Sequence, residues 1–169
     1  MDTLEAIFTR RSVRNFTHKP VSEADLHDLL KAGMQAPSAK NEQPWHFIVI
    51  NQQEILHKIP EFHPHSKMLL DAPLAILVCS DRNLEKKRAS WLQDCSAATE
   101  NILLAAHAKG LGAVWLGVFP DSDRVSGMQS LLSMPKDIRP VALVAVGYPA
   151  SQPEPIDRFD SARIHNNQW

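Results

Sequence analysis

Residues 36–50, APSAKNEQPWHFIVI, join a polar loop to an apolar segment. The apolar segment begins at Trp45 and is rich in aromatic and β-branched residues, which is typical of a buried strand. Pro44 precedes it, at a strand entrance where the missing N–H of proline removes no hydrogen bond from the sheet. A strand with polar side chains at one end often presents a ligand site; an ordinary turn before a core strand is the alternative. The polar side chains of this loop are those of Ser38, Lys40, Asn41, Glu42 and Gln43.

The composition predicts one globular domain. It argues against a membrane-spanning protein and against general attraction for nucleic acid or anionic membranes. The 169 residues are 44% hydrophobic and 22% charged, which suffices for a sizeable core. The net charge of −1 gives no general attraction for nucleic acid or anionic membranes, so an anionic ligand requires a local basic cluster. We predict no signal peptide and no membrane span, because the N-terminus is acidic and no stretch of about 18 apolar residues occurs.

The two cysteines, Cys79 and Cys95, lie in apolar or helical surroundings. They lack the spacing of a disulfide framework or of a zinc site. We therefore expect a reducing, cytoplasmic location.

Alternating helical and strand patterns predict an α+β fold with one mixed sheet covered by helices. Helical spacing of apolar residues predicts helices over residues 2–9, 22–34, 53–59, 91–108 and 121–132. Apolar and β-branched runs predict strands over residues 45–50, 74–79, 113–118 and 139–148. We predict a single domain over residues 1–169, in which the proline-rich residues 149–169 form an extended C-terminal arm that docks on a partner subunit.

The segment after the third predicted helix is expected to be an irregular surface loop. Pro60 is expected to end that helix, because proline lacks the N–H that a helix interior needs. His57, His63 and His65 lie close together in the sequence, but no carboxylate or thiol joins them at the spacing of metal ligands. We therefore predict a surface loop there and no metal site.

Residues 10–16, RRSVRNF, place Arg10, Arg11 and Arg14 close together, with Ser12 among them. Guanidinium groups bind phosphate through paired hydrogen bonds, so this cluster is a candidate anion site. The alternative is that these arginines follow the end of a helix and are simply solvated there.

Residues 110–120, GLGAVWLGVFP, form a second candidate site. Gly110 is expected to end the long helix with a left-handed cap. Gly117 lies in the following strand, where a missing side chain would let a flat ligand lie against the backbone; a bulge or tight packing is the alternative. The glycines do not form GxGxxG and they follow a helix, so we exclude a dinucleotide-binding fingerprint.

Three separated blocks, RRSVRNF, PSAKNEQPWHF and AAHAKGLGAVWLGVFP, together resemble the FMN-dependent nitroreductase family. The segments DAPLAILV and RFDSARIHNNQW extend this resemblance nearly from end to end, to a short, single-domain member. The resemblance implies a three-layer α/β/α sandwich with a mixed, mainly antiparallel sheet. It also implies a homodimer with swapped arms and FMN at the subunit interface. NAD(P)H-dependent reduction of nitro compounds, quinones or similar small acceptors is the implied activity.

The resemblance also assigns roles to individual residues of the candidate sites. Arg10, Arg11 and Ser12 would face the FMN phosphate and ribityl chain, and Arg14 would lie near the pyrimidine edge of the flavin. Leu116 and Gly117 would lie beside the isoalloxazine, with the Gly117 backbone N–H directed at N5. The residues expected to reach the flavin from the other subunit are Pro37, Ser38, Ala39, Asn41 and Gln43.

Three further positions complete this implied site or depart from the family pattern. Arg158 of the arm would complete the phosphate site, with Arg163 as the alternative. Larger members carry a lysine near the position of Met68, which would leave Arg14 or Lys67 to face the flavin O2. Larger members also carry an acidic residue at the position of Gly117, so that only the backbone donor is kept here.

These expectations predict that the redox chemistry belongs to the flavin, without a catalytic side-chain nucleophile or acid–base pair. Hydride transfer by a ping-pong mechanism is the leading hypothesis. Other flavin chemistry, such as dehalogenation or flavin breakdown, is an alternative within the same family. An FMN-binding protein without turnover and a structural dimer without flavin are alternatives from other classes.

Overall fold

A four-stranded sheet forms the centre of the fold, described here from a computed structural model for residues 1–86, 89–151 and 153–169. Its strands follow the spatial order β1-β2-β4-β3, and every adjacent pair of strands is antiparallel. Parallel pairing is found in the described ranges as an isolated bridge between Ser12 and Ala113. The strands are β1 (Trp45–Ile50), β2 (Leu74–Asp81), β3 (Gly112–Gly117) and β4 (Ile138–Gly147).

Helices cover both faces of this sheet. The helices are α1 (Thr3–Thr9), α2 (Glu23–Met34), α3 (Gln53–Leu56), α4 (Ser90–Ala108) and α5 (Ser122–Leu131). On one face, Leu29 of α2 and Ile102 of α4 pack with Ile76 and Val144 of the central strands. On the other face, Leu56 and Met128 pack with Leu77 and Leu143. The predicted α+β fold with three layers is therefore confirmed. None of the helices in the described ranges is both long and apolar enough to cross a bilayer.

The central strands β2 and β4 are buried along most of their length, because each contacts helices on both faces. Residues 74–80 of β2 are all buried, and so are residues 140–147 of β4. Continuous apolar runs are typical of strands covered on both sides. The strands predicted over residues 74–79 and 139–148 are therefore confirmed.

Helix ends follow the local signals predicted from the sequence. The Ser22 hydroxyl accepts a hydrogen bond from the Asp25 backbone N–H at 3.0 Å and donates to the Asp25 carboxylate at 2.7 Å, which caps the start of α2. Helix α4 ends at Ala108, and Gly110 lies two residues beyond it with a φ of 74°, in the left-handed region. The Leu111 N–H then donates to the Ala106 carbonyl at 2.9 Å, as in a glycine-capped helix end.

Two predictions for residues 53–65 are wrong. Helix α3 ends at Leu56 rather than at residue 59, and Pro60 lies inside a separate 3-10 turn, Ile59–Glu61. Proline is tolerated there because the first turn of a helix leaves its N–H groups without partners. His63 is only 1% exposed, so it belongs to the interior and not to a surface loop, whereas His57 and His65 are exposed as predicted.

One apolar surface of the chain has no cover within the described ranges. Leu4 and Phe8 of α1 are 62% and 68% exposed, although the helix itself forms as predicted. Residues 153–169 of the arm are also exposed. Phe159 is 76% exposed, and Trp169 is fully exposed. We call this the α1–arm surface, comprising Leu4, Ile7, Phe8, Ile156 and Phe159.

Candidate functional site

Residues 11–14 run beside the edge strand β3 and fix the first candidate residues. The Val13 N–H donates to the Ala113 carbonyl at 3.0 Å, and the Val13 side chain is buried. Gly112 permits this close approach, because a Cβ there would lie 2.7 Å from a Val13 methyl carbon. Ser12 and Arg14 flank the buried Val13 and point to the exposed side.

Arg10, Arg11 and Arg158 line one cavity of about 670 Å³, which we call the arginine cavity. Its apolar lining comes from the α1–arm surface. Arg10 Nε lies 3.3 Å from Glu100 Oε1, in an ion pair that is partly exposed and therefore weak. Arg11 Nε is buried and has no hydrogen-bond partner among the described residues. This cavity therefore keeps unused guanidinium donors.

The two arginines of the arm, Arg158 and Arg163, differ in their position relative to the arginine cavity. Arg158 lines the arginine cavity, whereas Arg163 is absent from its lining. The Arg163 side chain is 86% exposed, and its Nε lies 3.2 Å from Asp160 Oδ2 in the same short turn. Of the two, the structure brings only Arg158 to the predicted phosphate residues.

Arg14, Met68, Leu116 and Gly117 line a second cavity of about 420 Å³, which we call the glycine cavity. Its other lining residues are His63, Pro64, His65, Lys67, Trp115 and Arg124. Since these lining residues include three permanent cations and no acid, the cavity carries a positive potential. The structure thus brings together the predicted residues of the pyrimidine edge and of the ring.

The backbone of Gly117 is open on one side and held on the other. A Cβ at Gly117 would meet nothing within 4 Å in the described part of the chain. Its carbonyl accepts a hydrogen bond from Arg124 Nη1 at 2.9 Å and contacts His63 Nε2 at 3.0 Å. The sequence analysis placed His63 in a surface loop and did not single out Arg124. No local sequence pattern marks His63 as buried. Arg124 comes beside it only through the packing of α5.

Two titratable groups around Gly117, those of His63 and Asp121, have lowered pKa values. Burial lowers the pKa of His63, and the nearby guanidinium of Arg124 lowers it further. Asp121 caps α5 by accepting from the Asp123 and Arg124 N–H groups, both at 3.1 Å, and its Oδ2 lies 3.3 Å from Arg124 Nε. The backbone hydrogen bond from Arg124 and the charge of its guanidinium lower the pKa of Asp121.

The polar loop before β1 is held in an unusual backbone conformation. Lys40, Asn41 and Gln43 have φ values of 52°, 55° and 47°, in the left-handed region that side chains other than glycine rarely adopt. Two side chains fix this geometry: Asp94 accepts from the Ala39 N–H at 3.0 Å, and the Ser38 hydroxyl accepts from the Gln43 N–H at 3.0 Å. Backbone strain of this kind is concentrated at functional sites.

This loop lies away from both cavities. By the strand register, it and Gly117 lie at the same end of the sheet but on the opposite edge strands β1 and β3. Three strand spacings separate those edges, or about 14 Å. Neither cavity has a described lining residue from Pro37, Ser38, Ala39, Asn41 or Gln43. The predicted site residues therefore form three groups within one chain.

Both cysteines of the chain are buried free thiols. Burial raises the pKa of Cys79 and of Cys95 to about 12, so both remain protonated thiols at neutral pH. Among the described residues, no group of three His, Cys, Asp or Glu side chains could hold a metal ion.

Comparison with known proteins gives one consistent result. The model of the nitroreductase family matches residues 7–67 and 60–148. A protein of Methanothermobacter thermautotrophicus, provisionally named NADH dehydrogenase/NAD(P)H nitroreductase, is 52% identical over 169 residues, which cover 100% of this chain and 88% of that one.

Solved structures agree with the sequence match. A Parabacteroides distasonis protein with the same provisional name is 39% identical at a TM-score of 0.95, over 99% of this chain and 98% of that one. A provisionally named nitroreductase of Desulfovibrio desulfuricans, solved in complex with FMN, is 31% identical at a TM-score of 0.86, over 100% and 98% of the two chains. The family predicted from the three sequence blocks is therefore confirmed, and this chain belongs to the nitroreductase family.

Proposed function

We propose that this protein is an FMN-dependent NAD(P)H oxidoreductase that acts as a homodimer and reduces nitro compounds, quinones or similar small acceptors. NAD(P)H and the acceptor would use the same site in turn, by a ping-pong mechanism. The names of the relatives support the oxidoreductase class, and the FMN complex of the Desulfovibrio relative supports the cofactor.

The observation that carries this proposal is the position of residues 10–14 between two cavities. Arg10 and Arg11 line the arginine cavity, and Arg14 lines the glycine cavity. FMN is elongated, with a phosphate dianion at one end and a planar ring at the other. One short segment with arginines toward both ends is suited to such a molecule, because the ionic and the planar parts need different surroundings.

Unused groups in the two cavities fit this cofactor. The buried Arg11 Nε has no partner among the described residues, and a phosphate oxygen would supply one. At Gly117, the space that a Cβ would enter is open, so a flat ring can lie against the backbone. Arg14 and Lys67 bring positive charge to the same cavity as this glycine.

Each group has a distinct role in this proposal. FMN, when bound, accepts a hydride from NAD(P)H and passes the reducing equivalents to the acceptor. Arg10, Arg11 and Arg158 would bind the phosphate through charge-assisted hydrogen bonds. Arg14 and Lys67 would stabilise negative charge at the pyrimidine edge through their fixed positions. Met68, Leu116 and the Gly117 backbone would exclude water from the ring and fix its orientation.

A second copy of the chain would complete the site. The strained loop at residues 38–43 lies across the sheet from Gly117, so in this proposal it serves the flavin of the partner subunit. The α1–arm surface is the kind of uncovered apolar area that marks an interface between proteins. Exchange of residues 149–169 between subunits would cover Leu4 and Phe8 of α1 with the arm of the other copy.

An absorbance spectrum of the purified protein tests the proposal. We expect a yellow protein that retains FMN on gel filtration, elutes as a dimer and bleaches anaerobically with NADH or NADPH. A matched pair of variants, Arg158→Gln and Arg163→Gln, compares the two arginines of the arm, and only Arg158→Gln should weaken FMN binding.

Other outcomes of the same experiment separate the alternatives. A bound flavin that NAD(P)H leaves oxidised would indicate an FMN-binding protein without turnover. Reduction by NAD(P)H followed by reoxidation only with halogenated acceptors would indicate dehalogenation. A colourless protein that takes up no added FMN would refute the proposal.

A further inference from the structure

Two side chains from different elements converge on the carbonyl oxygen of Gly117. His63 Nε2 lies 3.0 Å from this oxygen, and Arg124 Nη1 donates to it at 2.9 Å. A carbonyl oxygen can only accept, so the hydrogen between His63 and Gly117 must be carried by Nε2. The geometry therefore requires a hydrogen on Nε2, which both the neutral Nε2–H tautomer and the imidazolium carry.

The surroundings of His63 favour this neutral form. His63 is 1% exposed, and its buried Nδ1 has no partner among the described residues. Protonation of Nδ1 would bury an N–H without an acceptor, which is costly. The titratable and charged groups around His63 are Arg124 and Asp121 from the α5 region and His65 on its own segment. Arg14 and Lys67 line the same cavity, so cations predominate there.

The two donors belong to elements that are tightly joined to one another. A Cβ at Gly127 of α5 would lie 2.3 Å from a ring carbon of Phe62, so the glycine lets the two segments make contact. The buried Ser66 hydroxyl donates to the His63 carbonyl at 2.7 Å. Because these neighbours restrict His63, its imidazole can act as a fixed donor rather than a mobile one.

Gly117 needs such a support more than most residues of the sheet. It is the last residue of the edge strand β3, and glycine has the greatest backbone freedom of any residue. Beyond it, the Val118 and Phe119 N–H groups both donate to the Val141 carbonyl, at 3.2 and 3.0 Å. The Gly117 carbonyl and these two amides belong to one continuous turn of backbone beside the glycine cavity.

We propose that His63 is a positioning residue, which together with Arg124 fixes the Gly117 backbone for its role beside the reacting ring. The catalytic part of this inference rests on the proposed function, in which the Gly117 N–H faces the flavin. The structural part, a neutral Nε2–H imidazole that holds the Gly117 carbonyl, is independent of any cofactor.

Nuclear magnetic resonance of the FMN-free protein tests the structural part. Long-range ¹⁵N–¹H spectra should show His63 protonated at Nε2 and not at Nδ1 at neutral pH. In His63→Leu, the Val118 and Phe119 amides should exchange with solvent about tenfold faster, as expected for the loss of one neutral hydrogen bond. His63→Gln, whose amide can donate from the position of Nε2, should restore slow exchange.

The chain provides a matched control at His57. Its Nε2 also lies near a backbone carbonyl, that of Leu70, at 3.2 Å, but His57 is exposed and does not line the glycine cavity. His57→Leu should leave the Val118 and Phe119 amides unchanged. If His63→Leu fails to fold, the tautomer of the unmodified protein still decides, and an Nδ1–H imidazole would overturn the inference.

The FMN-loaded protein tests the catalytic part. We expect His63→Leu to lower the rate of flavin reduction at saturating NAD(P)H about tenfold while KM changes little, and His63→Gln to recover most of that loss. Equal rates in all three proteins would overturn the positioning role. A protein that binds no FMN would refute the proposed function alone, because the amide exchange and the tautomer are measured without it.

Discussion

The two ends of strand β3 carry glycines for opposite reasons. At Gly112, the chain itself fills the space, because the buried Val13 side chain lies where a Cβ would be. At Gly117, nothing in the described part of the chain comes within 4 Å of that space. The first glycine is therefore explained by packing within the fold. The second has no such packing contact among the described residues, and in the proposed function it leaves room for the flavin ring. The comparison therefore separates stability from ligand binding along one short strand.

The largest effect is expected beside the closed end, where Arg11 lines the arginine cavity and its Nε has no hydrogen-bond partner in the described part of the chain. Arg11→Gln should weaken FMN binding by about 2 kcal/mol, or roughly thirtyfold in Kd, because a charge-assisted phosphate contact is lost. Stability of the FMN-free protein should hardly change. Fluorescence titration with FMN measures the Kd, and Arg82→Gln, at an exposed arginine outside the cavity lining, is the control. An unchanged Kd for Arg11→Gln would contradict the phosphate assignment.

The closed end should respond to an added methyl group through stability. Gly112→Ala should lower the free energy of unfolding by about 1–3 kcal/mol, because the new Cβ would overlap a β-branched side chain that has little freedom to move. Urea unfolding of the FMN-free protein, at a fixed protein concentration, measures this change. The matched control is the same substitution in a Val13→Ala background, where the further loss caused by Gly112→Ala should be smaller, because the two overlapping methyl groups are gone and only the Cβ of residue 13 remains close.

The open end should respond to the same methyl group through binding. Gly117→Ala should leave the free energy of unfolding unchanged or raise it by about 0.5 kcal/mol, since alanine restricts the unfolded chain and meets no neighbour here. FMN binding should weaken about tenfold, because the methyl group occupies the surface offered to the ring. The two alanine variants should thus differ in what they change: Gly112→Ala lowers the free energy of unfolding, whereas Gly117→Ala weakens FMN binding. Loss of stability at Gly117, with normal FMN binding, would show that this end is closed by the fold as well.

Local sequence signals predicted most of the fold but only part of the site. The strands followed from runs of β-branched residues, and Gly110 marked the end of the long helix, because both signals act over a few residues. The arginines and Gly117 were found from residue type and resemblance. The prediction that Pro60 ends the third helix was wrong because proline is compatible with a new turn as well as with a helix end.

Features that depend on distant packing could not be predicted. The burial of His63 arises where α5 and the segment before β2 meet, and these elements are far apart in the sequence. The left-handed backbone of Lys40, Asn41 and Gln43 is held by Asp94 and Ser38, and none of these three residues is a glycine that would have indicated it. The grouping of the site residues likewise depends on the strand order, which periodicity does not specify.

The smallest effect concerns the pH dependence of stability at the open end. Burial lowers the pKa of His63 in the folded protein, so the unfolded chain binds a proton at a higher pH than the folded one. The stabilisation that requires neutral His63 is therefore fully present above its unfolded pKa of about 6.5 and is lost as the pH falls toward the folded value. The stability difference between the unmodified protein and His63→Gln should accordingly shrink between pH 8 and pH 5.

The comparison with His63→Gln is needed because a second histidine gives a similar trend. Burial and the charge of Arg10 lower the pKa of His107, which therefore also favours the folded state at higher pH. His107 lies on the far side of the fold from α5, with its Nε2 2.7 Å from the Thr9 hydroxyl, so its contribution is common to both proteins and cancels in the difference. Urea unfolding at several pH values measures both curves. Parallel curves from pH 8 to pH 5 would mean that His63 accepts a proton as readily in the folded protein as in the unfolded one, which would contradict the neutral imidazole inferred at the Gly117 carbonyl.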